Sequence, residues 1–126
     1  MRAVDTNVLV RLLVRDDPRQ ADAAESFISR GAWVSHLVLA ETVWVLDAVH
    51  GLAAPQLARA VEMLLAHEQL SIQEPDIVRA ALQQFRERLS VGFSDCLLLE
   101  VARKAGHLPL GTFNRKLARA PGALRL

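Results

Sequence analysis

Apolar stretches of two lengths alternate along this chain, and each length predicts a different kind of element. Short apolar runs predict short strands at residues 1–5, 32–35, 70–74, 108–113 and 123–126. Longer stretches, in which apolar residues recur every three or four positions, predict helices over residues 8–17, 17–31, 35–51, 53–68, 75–90 and 94–106, with a helical turn over 114–119. Helices that alternate with short apolar strands indicate an α/β domain with a mainly parallel sheet.

Local signals place several helix ends. Asp17 and Pro18 suit the start of the second helix, and Ser94 is expected to cap the helix that Gly106 closes. The helix over residues 75–90 has the clearest amphipathic pattern. Its apolar side comprises Ile77, Val78, Ala81, Leu82, Phe85 and Leu89.

Composition narrows the class of protein. Apolar residues make up 52% of the 126 positions, which suits one compact domain over residues 1–126 and excludes a disordered chain. No apolar run approaches the roughly 18 residues of a membrane span, and Asp5 interrupts the first apolar stretch, which argues against a secretory signal. The single cysteine, Cys96, excludes an intrachain disulfide and suits the core of a cytoplasmic protein.

Charge is distributed unevenly. Residues 1–100 carry nine basic and 14 acidic side chains, whereas residues 101–126 carry six basic side chains and no acid. Thirteen of the 15 basic residues are arginines, whose planar guanidinium matches phosphate geometry. A basic end suggests an anionic partner, although a solvated tail that balances the acidic body is an equally good interpretation.

Three carboxylates stand where the pattern does not favour them. Glu41 lies in a helix that is apolar nearly all round, so we expect it to be at least half buried, either in an ion pair or at a metal ion. Asp5 follows the first strand, where it either faces a ligand or caps the next helix. Asp95 opens a helix, and its simplest role is also that of a cap.

The spacing of these three acids matters more than any one of them. They are 36 and 54 residues apart, and no local motif explains that spacing. A wound α/β fold would allow all three to converge at one end of the sheet. Clustered carboxylates repel each other, and Mg²⁺ or Mn²⁺ relieves that repulsion because both ions prefer oxygen ligands.

The segments VDTNVLVRLL, VSHLVLAETVWVL and FSDCLLLEVARKAG, the last followed by LGTFNRKLAR, resemble the PIN-domain ribonucleases, and most closely the VapC-type toxins of bacterial toxin–antitoxin pairs. The resemblance spans essentially the whole chain. It implies a three-layer α/β/α sandwich with a short, mainly parallel sheet, Mg²⁺- or Mn²⁺-dependent endonucleolytic cleavage of RNA, a homodimer and a cognate antitoxin protein.

The resemblance also assigns residues. Asp5, Glu41 and Asp95 fall on the acidic positions of the family's metal site, and Thr112 falls on the hydroxyl position beside it. Asn114 stands where the family usually has a fourth acid, so it offers a neutral carbonyl oxygen and weakens the case for a second metal ion.

Other residues complete the hypothesis. Thr6 and Asn7 are expected, like Thr112 and Asn114, to orient ligands or water. The residues expected to attract the RNA backbone are Arg115, Lys116 and Arg119. Trp33 and Phe113 are expected in the core, and the four histidines are expected to be structural or superficial.

Two further functions fit the same residues. One is a non-catalytic PIN-like module that binds RNA or an antitoxin through a weakened metal site. The other is a small-molecule phosphohydrolase, which the basic C-terminal segment favours less, because such a segment suits a polymer better.

Overall fold

The structure is a computed structural model that describes residues 1–88 and 90–126. The chain forms two compact units, Met1–Gln73 and Glu74–Leu126. Leu89, which we expected on the apolar side of an amphipathic helix, lies outside the described residues.

The first unit is built on a parallel sheet with the strand order β1–β2–β3. These strands are β1 (Arg2–Ala3), β2 (Ala32–Val34) and β3 (Leu70–Ile72). β2 pairs with both neighbours, and its alternate residues Ala32 and Val34 are buried. The three predicted strands of this unit are confirmed, although each is shorter than its apolar run.

Four helices accompany that sheet in residues 1–73, all of which the structure describes. They are α1 (Thr6–Val14), α2 (Pro18–Ile28), α3 (His36–Ala48) and α4 (Ala54–Ala66). The side chains of Asp5, Asp17 and Ser35 cap α1, α2 and α3, each accepting a backbone N–H three residues further along. The predicted start at Asp17 and Pro18 is therefore confirmed.

The core of the first unit is aliphatic. Its fully buried side chains include Leu9, Val34, Leu39, Leu46 and Val61. Each such side chain contributes about 1.5–3 kcal/mol relative to an exposed one, so the core and not helix propensity holds these short elements in place.

The second unit combines a helix pair with a two-stranded sheet. Its elements are α5 (Pro75–Glu87), α6 (Phe93–Ala105), β4 (Leu110–Thr112), a 3₁₀ turn (Leu117–Arg119) and β5 (Ala123–Arg125). β4 and β5 run parallel, and Phe85 meets Phe93 edge to face with ring centroids 6.0 Å apart. The described residues predicted on the apolar side of α5 are all buried.

Three expectations were wrong. Gly92 and not Ser94 is the N-cap of α6, because the helix begins one residue before the serine. Phe113 is 81% exposed and Trp33 is also exposed, because neither packs into the core that the neighbouring aliphatic residues form. The α/β class with parallel strands is confirmed, but the described strands form two sheets.

Within the described part of the chain, no helix is long and apolar enough to cross a membrane. Two of the four histidines, His36 and His67, form hydrogen bonds that involve backbone groups. His36 and Gln73 share two hydrogen bonds, and Nδ1 of His67 accepts the N–H of Gln69, as expected of structural residues.

Cys96 generates a testable prediction. Burial, together with the carboxylates of Asp95 and Glu100, raises the pKa of its thiol to about 11. We expect the folded protein to react slowly with a thiol reagent at neutral pH, and the urea-unfolded protein to react fast. Rapid labelling of the folded protein would contradict the burial of this side chain.

The same pKa shift predicts how stability depends on pH. The thiol of the unfolded chain ionises near its ordinary pKa of 9.0, before the folded one does. The free energy of unfolding should therefore fall between pH 9 and about 11. A Cys96→Ala variant, followed by urea unfolding over this range, should show a smaller fall.

Candidate functional site

Asp5 occupies the junction between β1 and α1. Its Oδ1 accepts the backbone N–H of Val8 at 3.2 Å, and the residue itself is exposed. The two interpretations of Asp5 are thus compatible, because the side chain caps α1 while standing just beyond the carboxyl end of a parallel strand. One hydrogen bond leaves the carboxylate with capacity for further partners.

Glu41 is held by the residue that follows Asp5. The hydroxyl of Thr6, whose residue is only 7% exposed, donates to Oε1 of Glu41 at 2.6 Å. This contact joins the first residue of α1 to the middle of α3. It brings Glu41 to the neighbourhood of Asp5 within one unit, and it fixes one carboxylate oxygen through a neutral donor.

The expected burial of Glu41 is wrong, because the residue is exposed. Helix α3 turns Leu39, Val43 and Leu46 into the core and leaves its opposite side in solvent. On that side lie Leu37, 79% exposed, and Trp44, 62% exposed. Some apolar neighbours of Glu41 in sequence are therefore surface residues and do not contribute to the core.

Ion pairing does not explain the three candidate acids. The described acids that pair with a cation include Asp16, Glu25, Glu74, Asp76, Glu87 and Glu100. Asp5, Glu41 and Asp95 form no ion pair with a described residue. The alternative of a structural ion pair at Glu41 therefore fails within the described chain.

Asp95 belongs to the second unit. It lies in the first turn of α6 and is partly exposed. The expected capping role of Asp95 is wrong, because Gly92 is the N-cap and no side chain caps the helix, although an acid in the first turn still suits the helix dipole. Neither unit by itself groups three His, Cys, Asp or Glu side chains into a metal site within the described residues. The convergence of Asp95 with Asp5 and Glu41 therefore stays a prediction.

Asn114 has a local role that the sequence did not reveal. Its Oδ1 accepts the backbone N–H groups of Lys116 at 2.9 Å and Leu117 at 3.2 Å. Its own N–H donates to Oγ1 of Thr112 at 3.0 Å. The amide oxygen thus caps the turn that follows β4, and both of its lone pairs are used there. Phe113, which lies between Thr112 and Asn114 and was expected in the core, is exposed.

The residues predicted to attract RNA are accessible. Arg115, Lys116 and Arg119 are all exposed and lie in or just before the 3₁₀ turn. Asn114 accepts the N–H groups of Lys116 and Leu117, which holds these basic residues on a defined piece of backbone.

Glu100 is a buried acid that the sequence analysis missed. It is 5% exposed, and its Oε2 accepts Nε of Arg103 at 2.8 Å, one turn along α6. Arg103 also donates to the backbone carbonyl of Pro121. The signal was present as an i, i+3 acid–arginine pair beside the buried Leu97 and Leu99.

Comparison with known protein families identifies the class. The PIN domain family matches residues 2–123, so the chain belongs to the PIN domain family. PIN domains are generally nucleases, and those nucleases generally use divalent metals. A comparison with curated proteins found no match.

The residues present fit a hard divalent cation in chemistry. Asp5, Glu41 and Thr6 offer only oxygen atoms, which Mg²⁺ and Mn²⁺ prefer, and no arginine or lysine among the described residues neutralises the two carboxylates.

The capping role of Asn114 predicts how two substitutions differ. Asn114→Ala removes both accepted hydrogen bonds and should lower the free energy of unfolding by about 1 kcal/mol. Asn114→Asp keeps an acceptor in the same place and should stay within about 0.5 kcal/mol of the parent. Urea unfolding of the three proteins measures this. Equal stability of the alanine variant and the parent would show that the turn does not need the cap.

Proposed function

We propose that this protein is a Mg²⁺- or Mn²⁺-dependent endoribonuclease, and that it is the toxin of a type II toxin–antitoxin pair. The observation that supports the proposal most is the hydrogen bond from Thr6 to Glu41, next to the exposed Asp5, in a chain of the PIN domain family. Neither carboxylate has an ion pair with a described residue, and a buried hydroxyl orients one of them. Binding a cation therefore explains these two acids better than a purely structural role does.

Asp5, Glu41 and Asp95 would hold the metal ion. Such an ion, when bound, makes water more acidic and offsets negative charge on a phosphodiester. Thr6 keeps the Glu41 carboxylate in one orientation, and the Val8 N–H does the same for Asp5. Asn7, Thr112 and Asn114 would position water or RNA around these acids.

RNA would be attracted through the exposed basic residues Arg115, Lys116 and Arg119. Contacts of this kind bind phosphates and position the strand without reading its sequence. A single-stranded or looped RNA of any sequence would meet this requirement, so specificity must come from other residues.

A second function deserves a test because of Asn114. The position where the resemblance implies a fourth acid carries an amide and therefore contributes no carboxylate. The oxygen of that amide is also engaged inside its own turn. A PIN-like module that binds RNA or an antitoxin without cutting RNA is the alternative. Metal-dependent cleavage by the purified protein separates the two functions.

Asp5→Asn tests the proposed chemistry. Asparagine is as good an N-cap as aspartate, so α1 and the fold should persist while a metal-binding charge is lost. We expect RNA cleavage in Mg²⁺ or Mn²⁺ to fall more than about 100-fold, since loss of mere second-sphere partners already costs 10- to 100-fold. The measurement is a cleavage time course, with circular dichroism to verify the fold.

The matched control is Asp22→Asn, which changes an exposed acid of α2 in the same unit. This variant should cleave RNA at the parental rate. Equal cleavage by the parent and Asp5→Asn would place the activity elsewhere, and no metal-dependent cleavage by the parent would favour the non-catalytic module.

Partners are also proposed. An exposed tryptophan and leucine on one side of α3 form an apolar surface around Glu41, of the sort that marks protein interfaces. We propose that a homodimer forms through this surface and that a cognate antitoxin places a basic side chain near the acids.

Trp44→Glu tests the homodimer. Replacing an exposed apolar side chain by a charged one should not disturb the core, but it should break an interface centred on Trp44. Sedimentation should show a dimer for the parent and a monomer for this variant, while Met63→Glu, at an exposed site on α4, should remain dimeric. A monomeric parent would contradict the homodimer.

A further inference from the structure

A cleft of about 460 Å³ lies in the first unit, between α1 and α2. Its volume falls within the roughly 300–1,000 Å³ typical of small-ligand pockets. The apolar part of its lining consists of Val8, Ala23, Ala24 and Phe27. The ring of Phe27 is held from elsewhere, because the guanidinium of Arg2 lies 3.9 Å from its centroid and donates to its backbone carbonyl. The cleft thus has a firm apolar lining.

Three polar side chains complete that lining. They are Asn7 and Arg11 from α1 and Gln20 from α2. The amide groups of Asn7 and Gln20 hydrogen-bond no described residue, and both residues are exposed. Each amide offers two N–H donors and one carbonyl acceptor. Together the two amides can recognise a planar ligand that carries hydrogen-bond donors and acceptors along its edge.

Arg11 is incompletely satisfied. Its Nη1 donates to Asp16 at 2.7 Å, whereas its Nε is buried and has no partner among the described residues. An unmet buried donor costs about 1–3 kcal/mol. Arg11 also lines the cleft, so a polar ligand seated there would lie next to a guanidinium that hydrogen-bonds only Asp16 among the described residues.

The position of the cleft relates it to the proposed chemistry. Asn7 directly follows Thr6, whose hydroxyl bonds Glu41, and it is two residues from Asp5. The first turn of α1 therefore contributes both to the cleft and to the candidate metal site. A ligand seated on Asn7 therefore contacts the same end of α1 that carries Asp5 and Thr6. In a nuclease, the group that lies beside the reacting phosphate is a nucleotide of the substrate.

We propose that this cleft binds one unpaired base of the RNA, next to the bond that is cut, and so contributes to substrate choice. This inference rests on the proposed nuclease function. A base has flat apolar faces for the lining of Val8 and Phe27, and a polar edge for Asn7 and Gln20. Such splayed, single-stranded bases are what sequence-reading RNA-binding proteins recognise. A helical peptide suits the cleft less well, because it needs a longer apolar groove with fewer polar groups.

Ala23→Leu tests the proposal by filling the cleft. Ala23 is exposed on α2, where leucine is a good helix former, so the fold should persist. The matched control is Ala66→Leu, at an exposed position of α4 outside the cleft lining. Each protein is assayed on one RNA oligonucleotide and on a set of copies, each with a single abasic site.

For the parent and Ala66→Leu, one abasic site beside the cut should lower kcat/KM by roughly 5- to 150-fold, the equivalent of one stacked base. Ala23→Leu should lose a similar factor on intact RNA and become insensitive to the abasic site. Gln20→Ala should lose less, and its loss should depend on which base occupies that position.

Binding in the Asp5→Asn background, measured by fluorescence anisotropy with the same oligonucleotides, separates this inference from the nuclease function. Base-dependent binding that Ala23→Leu abolishes supports the cleft even if the parent does not cut RNA. Cleavage or binding that is indifferent to every abasic site overturns it. An Ala23→Leu variant that changes oligomeric state and leaves RNA kinetics unchanged also overturns it, because the cleft is then a protein interface.

Discussion

The hydrogen bond from Thr6 to Glu41 is the contact on which the candidate site depends. It links the residue that opens α1 to the middle of α3 and gives a surface carboxylate a single orientation. A neutral hydroxyl has this effect without neutralising the acid, whereas an arginine partner would both hold the carboxylate and cancel its charge. Asp5 is treated in the same way by the Val8 N–H. Both acids are therefore held by neutral donors, and neither is paired with a described arginine or lysine.

This arrangement contrasts with the way the chain treats an acid that serves the fold. Glu100 is buried and bonded to Arg103, and removing this arginine would leave an uncompensated carboxylate in the interior. Lys104 pairs with Glu74 and Asp76, which lowers the pKa of Asp76, on the surface of the same unit. Glu100 and Asp76 thus have cations beside them, whereas Asp5 and Glu41 form no ion pair with a described residue.

The sequence predicted much of the fold because local signals agreed with each other. The strands lay close to their apolar runs, and Asp17, Ser35 and Gly106 act at helix ends as their residue types favour. Burial was harder to predict. An apolar helix such as α3 reads as buried, yet Leu37 and Trp44 are exposed, because an apolar residue type does not distinguish a core from an interface. Ser94 was wrongly predicted to cap α6, because the helix already starts at Phe93, whose ring is buried against Phe85.

The sequence proposes a set of candidate site residues but not their geometry, and Asn114 shows why. A motif identifies the position as a departure from an acidic pattern, whereas the hydrogen bonds show that Oδ1 holds the N–H groups of Lys116 and Leu117. Either an amide or a carboxylate oxygen can accept these hydrogen bonds. The turn is therefore compatible with asparagine or aspartate at this position.

The same turn depends on more distant contacts that no motif records. Arg103, held by the buried Glu100, donates to the carbonyl of Pro121, and Gly122 accepts the N–H of Leu110 at the start of β4. A side chain at Gly122 would meet the guanidinium of Arg103 at about 3.0 Å, and its φ of +94° suits glycine alone. The Glu100–Arg103 pair therefore links α6 to the segment that precedes β5, and β5 in turn pairs with β4. Thr112, the last residue of β4, accepts the N–H of Asn114, so the turn that carries the exposed basic residues follows directly from this sheet.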